Sequence, residues 1–462
     1  MPGGGGLLQL VAIGKQDVFL TGNPQITWFK MVYRRYTNFA MESQQIYFDG
    51  DPDFGKRVTA LVPRRGDLLG PMLLEVVLPY VRMSDGTIGT YINTAGYALI
   101  EEISLEIGEQ QIDKQTGEWM QIWSTLTTSA GQRDALNNMI GRVDGLNQPP
   151  TVLSAEVCSV GNYKFGAAKL YIPLQFWFNK NPGLYLPLLA MQYHPIRINL
   201  KIRDLASMLD NQNMTATCAP VQPEPTSIIE LRLWGDYVFL DTEERRRFVA
   251  NTHEYLIEQI QYTPKISIPE TVNTQNIRIE FNHPLRELFW TIRRDVMEVT
   301  HEWFNFGSTS SHEAGISRDI LQDATLQVDG YDRFDTRDSG YFRLAQPFQY
   351  HTTTDVKQFI YMYSFALRPE EMQPSGSLNA SRIDNMNLVV NLRPDSNQSL
   401  TVVVPLLDVT GQQVINNGIP LTREVINPLY TPNRGKSSII VYAKNHNVLR
   451  IVNGFAGLLF KI

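Results

Sequence analysis

The chain has 462 residues and a mass of 52.6 kDa, which exceeds one ordinary domain and suits two domains of about 200 residues each. Hydrophobic residues make up 43% of the chain and charged residues only 19%, so we expect a well-buried globular protein rather than a disordered one. The formal net charge is −6. The chain therefore has no surplus of basic residues for neutralising phosphates, and wrapping of nucleic acid is disfavoured.

The cysteine content and the N-terminus indicate where the protein is made. Cys158 and Cys218 are the only cysteines, which is too few for a disulfide framework or a four-cysteine zinc site and fits a reducing compartment. The N-terminus lacks the basic region of a signal peptide, although residues 7–13 are apolar. The densest apolar run, residues 184–191, is far shorter than the ~20 residues that cross a bilayer. We therefore expect a soluble protein made in the cytosol.

The dominant hydrophobic period along the chain is two, which is the period of a half-buried strand. Residues 196–202 alternate apolar and polar side chains without a fault. Shorter alternations occur at residues 103–107, 229–233, 277–281 and 326–328, and uniformly apolar segments, predicted to be strands buried on both faces, occur at 72–78, 359–367, 400–407 and 439–443. No βαβ alternation is present, which argues against an open parallel sheet and favours sandwiches.

Helical signals are sparse, and the best one begins at Asp241. This residue can cap a helix, and Glu244 can complete a start that resembles a capping box. Three arginines follow at 245–247. Glu243 lies four residues before Arg247, so we interpret them as an ion-paired helix face rather than an anion site. One short surface helix is predicted here.

The composition changes near the middle of the chain, where three prolines fall within residues 220–225. Prolines stiffen the backbone and exclude regular ladder pairing, so we predict a linker at 219–226. The halves on either side show the same order of features. A strand ends at a turn, at Gly108 in the first half and at the predicted Asp329-Gly330 hairpin in the second. In each half an aromatic strand follows, at 174–178 and 360–365, and then a Pro/Gly loop and a further strand, so the order predicts two similar β-domains in tandem.

A search for catalytic motifs finds none. The chain contains neither a phosphate-cradling loop with Lys-Ser/Thr nor a Gly-x-Ser-x-Gly nucleophile context. His253-Glu254 supplies only half of the zinc-hydrolase pattern, and the seven histidines have no ligand spacing. We therefore predict no catalytic residue, no cofactor and no metal site.

A dozen short segments, in order along the chain, carry a resemblance to a known family. The chain closely resembles the major capsid proteins of nucleocytoplasmic large DNA viruses, and the phycodnavirus and marseillevirus branches are the most similar. The matching positions, all expected to be structural, are Gly22, Asn23, Pro24, Tyr33, Arg34, Arg35, Asn181, Pro182, Gly183, Asp241, Arg245, His283, Pro284, Pro374, Gly376, Arg382, Asp384 and Arg450.

The resemblance implies an all-β fold of two tandem eight-stranded antiparallel jelly-roll sandwiches, a double jelly roll, with few short helices in loops. Together with the linker, it predicts an N-terminal arm at residues 1–24, a first jelly roll at 25–218 and a second at 227–462. The arm has a glycine run at residues 3–6 and an apolar run that needs burial against a neighbour. The residues predicted to make that contact are Leu7, Leu8, Leu10 and Val11.

The resemblance also implies a function without enzymatic activity. The chain is expected to be a major capsid protein that forms homotrimers, and these pseudo-hexagonal capsomers tile the icosahedral shell of a large double-stranded DNA virus. Expected partners are neighbouring capsomers, minor capsid (cement) proteins and penton proteins. An internal membrane is expected beneath the shell without direct insertion, and no direct nucleic-acid binding is expected. The expected location is the outer capsid of the virion, after synthesis and assembly in the host cytoplasm.

Two alternatives from other functional classes remain open at this point. One is a two-domain jelly-roll enzyme, such as a glycosidase or a copper monooxygenase. The other is a monomeric carbohydrate-binding protein that uses exposed loop aromatics, for which the candidates are Tyr331, Phe334, Tyr341 and Phe342.

Overall fold

The computed structural model describes most of the chain, and the chain divides into two units. The described residues are 4–82, 90–142, 168–210, 223–310, 317–354, 357–393, 401–405, 415–416, 419–420, 422–426 and 435–460. Residues 1–39 form the N-terminal unit, and residues 40–462 form the main unit. The N-terminal unit contains helices α1 (Gly4–Val11) and α2 (Lys15–Thr21) and extends beyond the predicted arm of residues 1–24.

The first half of the main unit is a pair of antiparallel sheets with helices in the connections. Its strands are β1 (Phe39–Ile46), β2 (Phe48–Asp49), β3 (Arg57–Leu61), β4 (Leu68–Leu78), β5 (Ile100–Ile107), β6 (Gln110–Gln115), β7 (Ala168–Pro173), β8 (Ile196–Ile202) and β9 (Glu230–Leu240). Its helices are α3 (Ala95–Leu99), α4 (Gly117–Thr127), α5 (Ala130–Ile140) and α6 (Trp177–Lys180). One sheet has the order β1–β9–β4–β7 and the other has the order β2–β3–β8–β5–β6.

The second half repeats this plan. Its strands are β10 (His253–Tyr262), β11 (Ile266–Ile268), β12 (Thr274–Ile279), β13 (Pro284–Arg294), β14 (Leu321–Val328), β15 (Tyr331–Asp332), β16 (Arg337–Asp338), β17 (Tyr361–Ser364), β18 (Leu378–Asn379), β19 (Met386–Leu392), β20 (Thr401–Pro405), β21 (Ile415–Asn416), β22 (Ile419–Pro420), β23 (Thr422–Ile426), β24 (Ser437–Val452) and β25 (Phe455–Leu458). Its helices are α7 (Thr242–Ala250), α8 (Asp295–Val299) and α9 (Gln346–Tyr350). The main sheet orders are β10–β24–β13–β17 and β12–β19–β14–β15.

The two halves have equivalent strand orders. The sheet β1–β9–β4–β7 corresponds strand by strand to β10–β24–β13–β17, and β3–β8–β5–β6 corresponds to β12–β19–β14–β15. Each half is thus an eight-stranded antiparallel sandwich in which the last strand returns to lie beside the first, which is jelly-roll topology. The prediction of an all-β double jelly roll is confirmed.

Side-chain alternation produces the core of each sandwich. In β8 and in the equivalent strand β19, every second residue is buried and the residues between are half-buried. The predicted hairpin at Asp329-Gly330 is confirmed, since these residues join β14 to β15 with positive φ values of 48° and 83°. Gly108 and Glu109 join β5 to β6 in the same way, with φ values of 58° and 69°. Positive φ at both central residues matches the right-handed twist of the flanking strands.

The predicted start of the second jelly roll at residue 227 needs correction. β9 pairs with β4, with Leu233 opposite Leu74, so residues 230–240 belong to the first jelly roll. The chain therefore passes to the second jelly roll through α7, after the prolines. Residues 219–222 of the predicted linker lie outside the described residues. Prolines interrupt regular strand pairing, and such an interruption can fall within a domain as well as between two domains.

The helix predictions had mixed outcomes. The surface helix after Asp241 is confirmed as α7, and the Asp241 carboxylate accepts a hydrogen bond from the Thr242 amide at 2.7 Å. The predicted aromatic strand at 174–178 is wrong, because this segment is a loop that leads into α6, with Phe176 and Phe178 fully buried. The apolar run indicated burial and not a strand. Helices α4 and α5 were not predicted from the sequence.

Candidate assembly surfaces

The two jelly rolls meet in a buried layer, here called the seam. One wall is the β10–β24–β13–β17 sheet, and the other contains α4 and α6 of the first jelly roll. The Trp119 ring of α4 lies 5.3 Å from the Phe289 ring of β13 and 5.8 Å from the Tyr442 ring of β24, measured between centroids. Trp123 stacks on Trp119 one helical turn later. These rings bury large apolar surfaces and fix α4 against the sheet.

The first turn of α4 adds a buried ion pair to this aromatic packing. Thr116 caps the helix by accepting a hydrogen bond from the Trp119 amide at 3.2 Å. This start places the Glu118 carboxylate in the seam. It accepts hydrogen bonds from Thr291 Oγ1 at 2.7 Å and from Arg293 Nη2 at 2.6 Å, both on β13. A buried pair with two well-formed hydrogen bonds fixes the register of one element against another.

A second charged group in the seam surrounds Glu258 of β10. Its carboxylate contacts Arg286 of β13, Lys444 Nζ of β24 at 3.0 Å and Lys180 Nζ of α6 at 3.2 Å. Burial alone would raise the pKa of Glu258, but Lys444, Lys180 and Arg286 outweigh it and hold the pKa well below its usual range. Burial lowers the pKa of Lys444 to about 7, since two other cations share its one carboxylate. Lys444 Nζ also lies 3.7 Å from the centre of the Trp123 ring.

A buried histidine lies between two carboxylates beside this group. His351 Nε2 is 2.8 Å from Glu287 Oε1, and His351 Nδ1 is 2.9 Å from Glu370 Oε1. Burial lowers the pKa of His351, but the two carboxylates outweigh burial and raise it to about 9. The imidazole is therefore charged at neutral pH and donates from both nitrogens.

Side chain to backbone hydrogen bonds extend the seam beyond its charged groups. Asp113 of β6 accepts a hydrogen bond from the Ile260 amide of β10 at 3.1 Å, and burial raises the pKa of this carboxyl to about 6. Trp303 Nε1 donates to the Ser207 carbonyl at 2.9 Å. The two jelly rolls are thus joined by aromatic, ionic and backbone contacts and form one compact body.

The N-terminal unit presents apolar side chains to solvent. Leu8, Leu10 and Val11 of α1 are 69%, 71% and 79% exposed, and Leu7 lies in the same helix. Among the predicted contact residues, the side chains that the structure describes are thus accessible to a neighbouring molecule.

The matching positions in the N-terminal unit lie at a helix end and in an extended segment. Gly22 ends α2, where an added Cβ would lie 2.6 Å from the Val18 carbonyl oxygen, and Asn23 follows with a positive φ of 50°. The remaining positions, all exposed, are Pro24, Tyr33, Arg34 and Arg35.

The matching positions in the first jelly roll and in α7 shape turns. The Asn181 side chain accepts a hydrogen bond from the Gly183 amide at 2.9 Å and caps the short turn at Pro182–Leu184. Arg245 Nη2 lies 2.8 Å from Asp67 Oδ2. Asp67 also accepts a hydrogen bond from the Leu240 amide, so this pair fixes the first turn of α7 to the end of β9.

Further matching positions cluster where β13 begins. His283 has a positive φ of 67°, and its amide donates to Ser381 Oγ at 2.8 Å. Pro284 follows as the first residue of β13 and pairs with Asn379. Arg382 ends the short turn at Ala380–Arg382 on the surface. The role of these residues is to hold a left-handed turn at the start of a central strand.

The last matching positions lie in loops and in β24. Gly376 has a φ of 136°, a conformation that favours glycine, and the neighbouring Pro374 is exposed. The Asp384 amide donates to Asp329 Oδ1 at 3.1 Å, which ties it to the hairpin of β14. Arg450 Nε lies 3.4 Å from Glu254 Oε1 on the surface. The structure does not gather the matching positions into one site.

The buried charged residues of the seam were not predicted from the sequence. Glu118, Glu258 and His351 are common residue types with no motif around them, and their partners lie far away in sequence. The one available signal was a charged residue inside an apolar stretch, as at Lys444 after residues 439–443. Such a charge in a buried strand indicates a buried partner.

In the part of the chain that the structure describes, no group of three or more His, Cys, Asp or Glu side chains could hold a metal ion. Among the same residues, no helix is both long and apolar enough to span a membrane.

Comparison with known proteins identifies the family. The profile of the major capsid protein N-terminus matches residues 27–241, and that of the large eukaryotic DNA virus major capsid protein matches residues 244–457. The major capsid protein of Pyramimonas orientalis virus is 36% identical over 479 residues, with 99% of each chain covered. That of Paramecium bursaria Chlorella virus 1 is 36% identical over 481 residues, again with 99% of each covered. The chain belongs to the large eukaryotic DNA virus major capsid proteins.

Solved structures of this family have the same fold. The quasi-atomic model of the PBCV-1 virus capsid matches with a TM-score of 0.71 and 31% identity, covering 94% of this chain and 100% of that one. The Faustovirus major capsid protein matches with a TM-score of 0.70 at 12% identity, covering 95% and 94%, which shows a shared fold. As a major capsid protein, the chain is a structural component of the outer shell of the virion, where capsid proteins assemble into capsomers.

Proposed function

We propose that this major capsid protein forms homotrimers, and that each trimer is a pseudo-hexagonal capsomer of an icosahedral shell. The observation that carries the proposal is the equivalence of the two strand orders in one chain. Three chains with two similar jelly rolls each present six similar corners, so a threefold particle packs like a sixfold one. The seam supports this role, because its contacts between Arg293 and Glu118 and between Lys180 and Glu258 join the two jelly rolls of one chain.

The remaining partners follow from this arrangement. Neighbouring capsomers would contact each other through the outer loops, and minor capsid and penton proteins would complete the shell. The exposed apolar side chains of α1 would contact a neighbour at the inner side of the shell. The net charge of −6 supports a shell above an internal membrane, without insertion into it and without direct binding of nucleic acid. Synthesis and assembly would take place in the host cytoplasm, and no reaction is part of the proposal.

The mass of the purified protein tests the trimer. Native mass spectrometry and light scattering should give three times 52.6 kDa. Averaged electron micrographs of the same sample should show particles with six similar corners. A predominantly single-subunit species at the highest attainable concentration would overturn the proposal.

A truncation tests the arm. A chain that lacks residues 1–24 should fold, because the main unit begins at residue 40. With its usual partners it should form fewer or less stable shells than the full chain. Complete shells of unchanged stability would remove the arm from the proposal and leave the trimer untouched.

A further inference from the structure

A second part of the N-terminal unit, after the arm, also exposes apolar side chains. Residues 28–39, here called the aromatic segment, contain seven aromatic or aliphatic residues, three basic residues and no acidic one. Six of the apolar side chains are more than four-fifths exposed, namely Trp28, Phe29, Met31, Val32, Tyr33 and Tyr36. Soluble monomers rarely leave such a run in water, so its presence marks an interaction surface.

The residue types of the aromatic segment are those of protein interface centres. Trp, Tyr, Phe, Met and Arg are enriched there, and Trp, Tyr and Arg supply most of the residues whose truncation weakens binding strongly. The segment contains one Trp, two Tyr, two Phe, one Met and two Arg among its twelve residues. Arg34 and Arg35 are exposed, and among the described side chains neither has an ion-pair partner.

The charge of the N-terminal unit complements that of the rest of the chain. Residues 1–39 carry four basic residues and one acidic residue, a net charge of +3, so residues 40–462 carry −9. No acidic residue lies between Asp17 and Glu42. Copies of this chain therefore offer each other a basic aromatic segment and an acidic main unit, in equal numbers.

We propose that the aromatic segment is the anchor by which one copy of this chain binds a second copy. The aromatic side chains are buried on the neighbour, and the guanidinium groups of Arg34 and Arg35 pair with carboxylates of its main unit. This inference rests on the self-association proposed above and names the residues that carry it. The inference also separates the anchor from the arm, since residues 1–24 are not needed for the binding of a second copy.

The arginines favour a protein partner over a bilayer. Trp and Tyr with basic residues also suit a lipid interface, where any cation can approach anionic headgroups. Two of the three cations here are arginines, whose planar forks match carboxylates with two parallel hydrogen bonds. The net charge of −9 on the main unit supplies such carboxylates. A bilayer as the true partner is an outcome that the experiment detects.

Two double variants test the anchor in the full chain, and each is compared with a control variant elsewhere on the surface. W28A/Y33A removes two exposed rings, and Y331A removes a ring that is 80% exposed at the β14–β15 hairpin. R34E/R35E reverses two exposed charges, and R246E/R247E makes the same change in net charge on the surface of α7. Sedimentation velocity over a range of concentrations gives the dissociation constant for each, and thermal unfolding confirms that each variant folds.

Both anchor variants should weaken self-association by about 100-fold or more, because each removes two residues of hot-spot type. Both controls should stay within about threefold of wild type, and the chain without residues 1–24 should still self-associate. A wild-type chain that stays monomeric would overturn the proposed trimer. A wild-type assembly that the anchor variants retain would overturn this inference alone.

Flotation with vesicles of phosphatidylserine and phosphatidylcholine tests whether the aromatic segment binds a bilayer instead of a second copy of the chain. Under the inference, W28A/Y33A loses self-association, and the wild-type chain does not float with the vesicles. Wild-type flotation that W28A/Y33A abolishes, together with unchanged self-association, would assign the segment to a lipid surface and overturn the inference.

Discussion

Arg293 of β13 and Glu118 of α4 form a buried ion pair that joins the second jelly roll to the first. Arg293 Nη2 lies 2.6 Å from Glu118 Oε2, and the two side chains are only 8% and 11% exposed. A buried pair adds little net stability over apolar packing, yet breaking it leaves one charge without compensation in a poorly solvated site. The pair therefore fixes the position of α4 of the first jelly roll against β13 of the second.

The variant E118Q tests this register. It keeps the shape of the side chain and its contact with Thr291, but among the described carboxylates it leaves Arg293 with Glu298 alone, whose Oε1 lies 4.0 Å from Arg293 Nε. We expect a loss of about 2–3 kcal/mol in the free energy of unfolding, measured by urea titration.

The control for E118Q is E243Q in α7. Glu243 pairs with Arg246 at 3.4 Å, but both side chains are 74% exposed, so the change should stay within about 0.5 kcal/mol. Equal losses for E118Q and E243Q would show that the seam pair is no better than a surface pair.

The sequence predicted the strands and turns of the fold but not the contacts of the seam, because strands and turns have local signals and the seam contacts do not. Alternation at residues 196–202 and the Asp329-Gly330 turn are local signals, and each survives in β8 and in the β14–β15 hairpin. The aromatic residues at 174–178 indicated burial without a period, so their loop and helix could not be distinguished from a strand. The limit between the jelly rolls depends on the pairing of β9 with β4, which is a contact over more than 150 positions of sequence and leaves no local mark.

The pH dependence of stability tests the charged histidine. The pKa of His351 is about 9 in the folded chain and about 6.5 in an unfolded one, because Glu287 and Glu370 outweigh the effect of burial. The folded state thus binds more protons, so this contribution is complete below about pH 6.5 and is lost as the pH rises through about 9. Lys444 has the opposite sign, because burial lowers its pKa to about 7 and its contribution grows as the pH rises above that value.

The variants H351Q and K444M separate these two effects. Between about pH 7 and 9, H351Q should remove the falling contribution, so its free energy of unfolding should rise with pH relative to wild type. K444M should remove the rising contribution, so its free energy of unfolding should fall with pH relative to wild type over the same range. Urea titrations across the range measure both slopes. Parallel curves for H351Q and wild type would show that His351 is not charged in the folded chain.

The variant E258Q tests whether one carboxylate holds three cations in the seam. Without its charge, Arg286 and Lys180 lose their shared counter-ion, and Lys444, whose pKa that carboxylate raises, gives up its proton at a site where Lys444 and Arg286 are each only 1% exposed. We expect a loss of about 3–5 kcal/mol, of which the double variant E258Q/K444M should regain part. Urea titration of the two variants measures the difference. A double variant that is less stable than E258Q would show that the Lys444 contact with Trp123 matters more than its charge.

Two glycines in neighbouring helices test packing against helix propensity. An added Cβ at Gly117 of α4 would overlap the Tyr97 carbonyl oxygen and lie 2.5 Å from the Ile100 carbonyl oxygen, whereas at Gly131 of α5 it would meet nothing within 4 Å. Propensity alone predicts a gain for alanine at both positions, of up to about 1 kcal/mol. G131A should show such a gain in thermal or urea unfolding.

G117A should instead lose about 3 kcal/mol or more, because backbone oxygens cannot rotate away as a side chain can. The displaced α4 would also move Trp119 and Glu118, so the loss should appear as weaker contact between the jelly rolls and not as local fraying. Fluorescence of the buried tryptophans would report this, with a red shift in G117A and none in G131A. A gain in stability for both variants would mean that α4 can shift within the seam without cost, which would contradict its role as the fixed wall between the two jelly rolls.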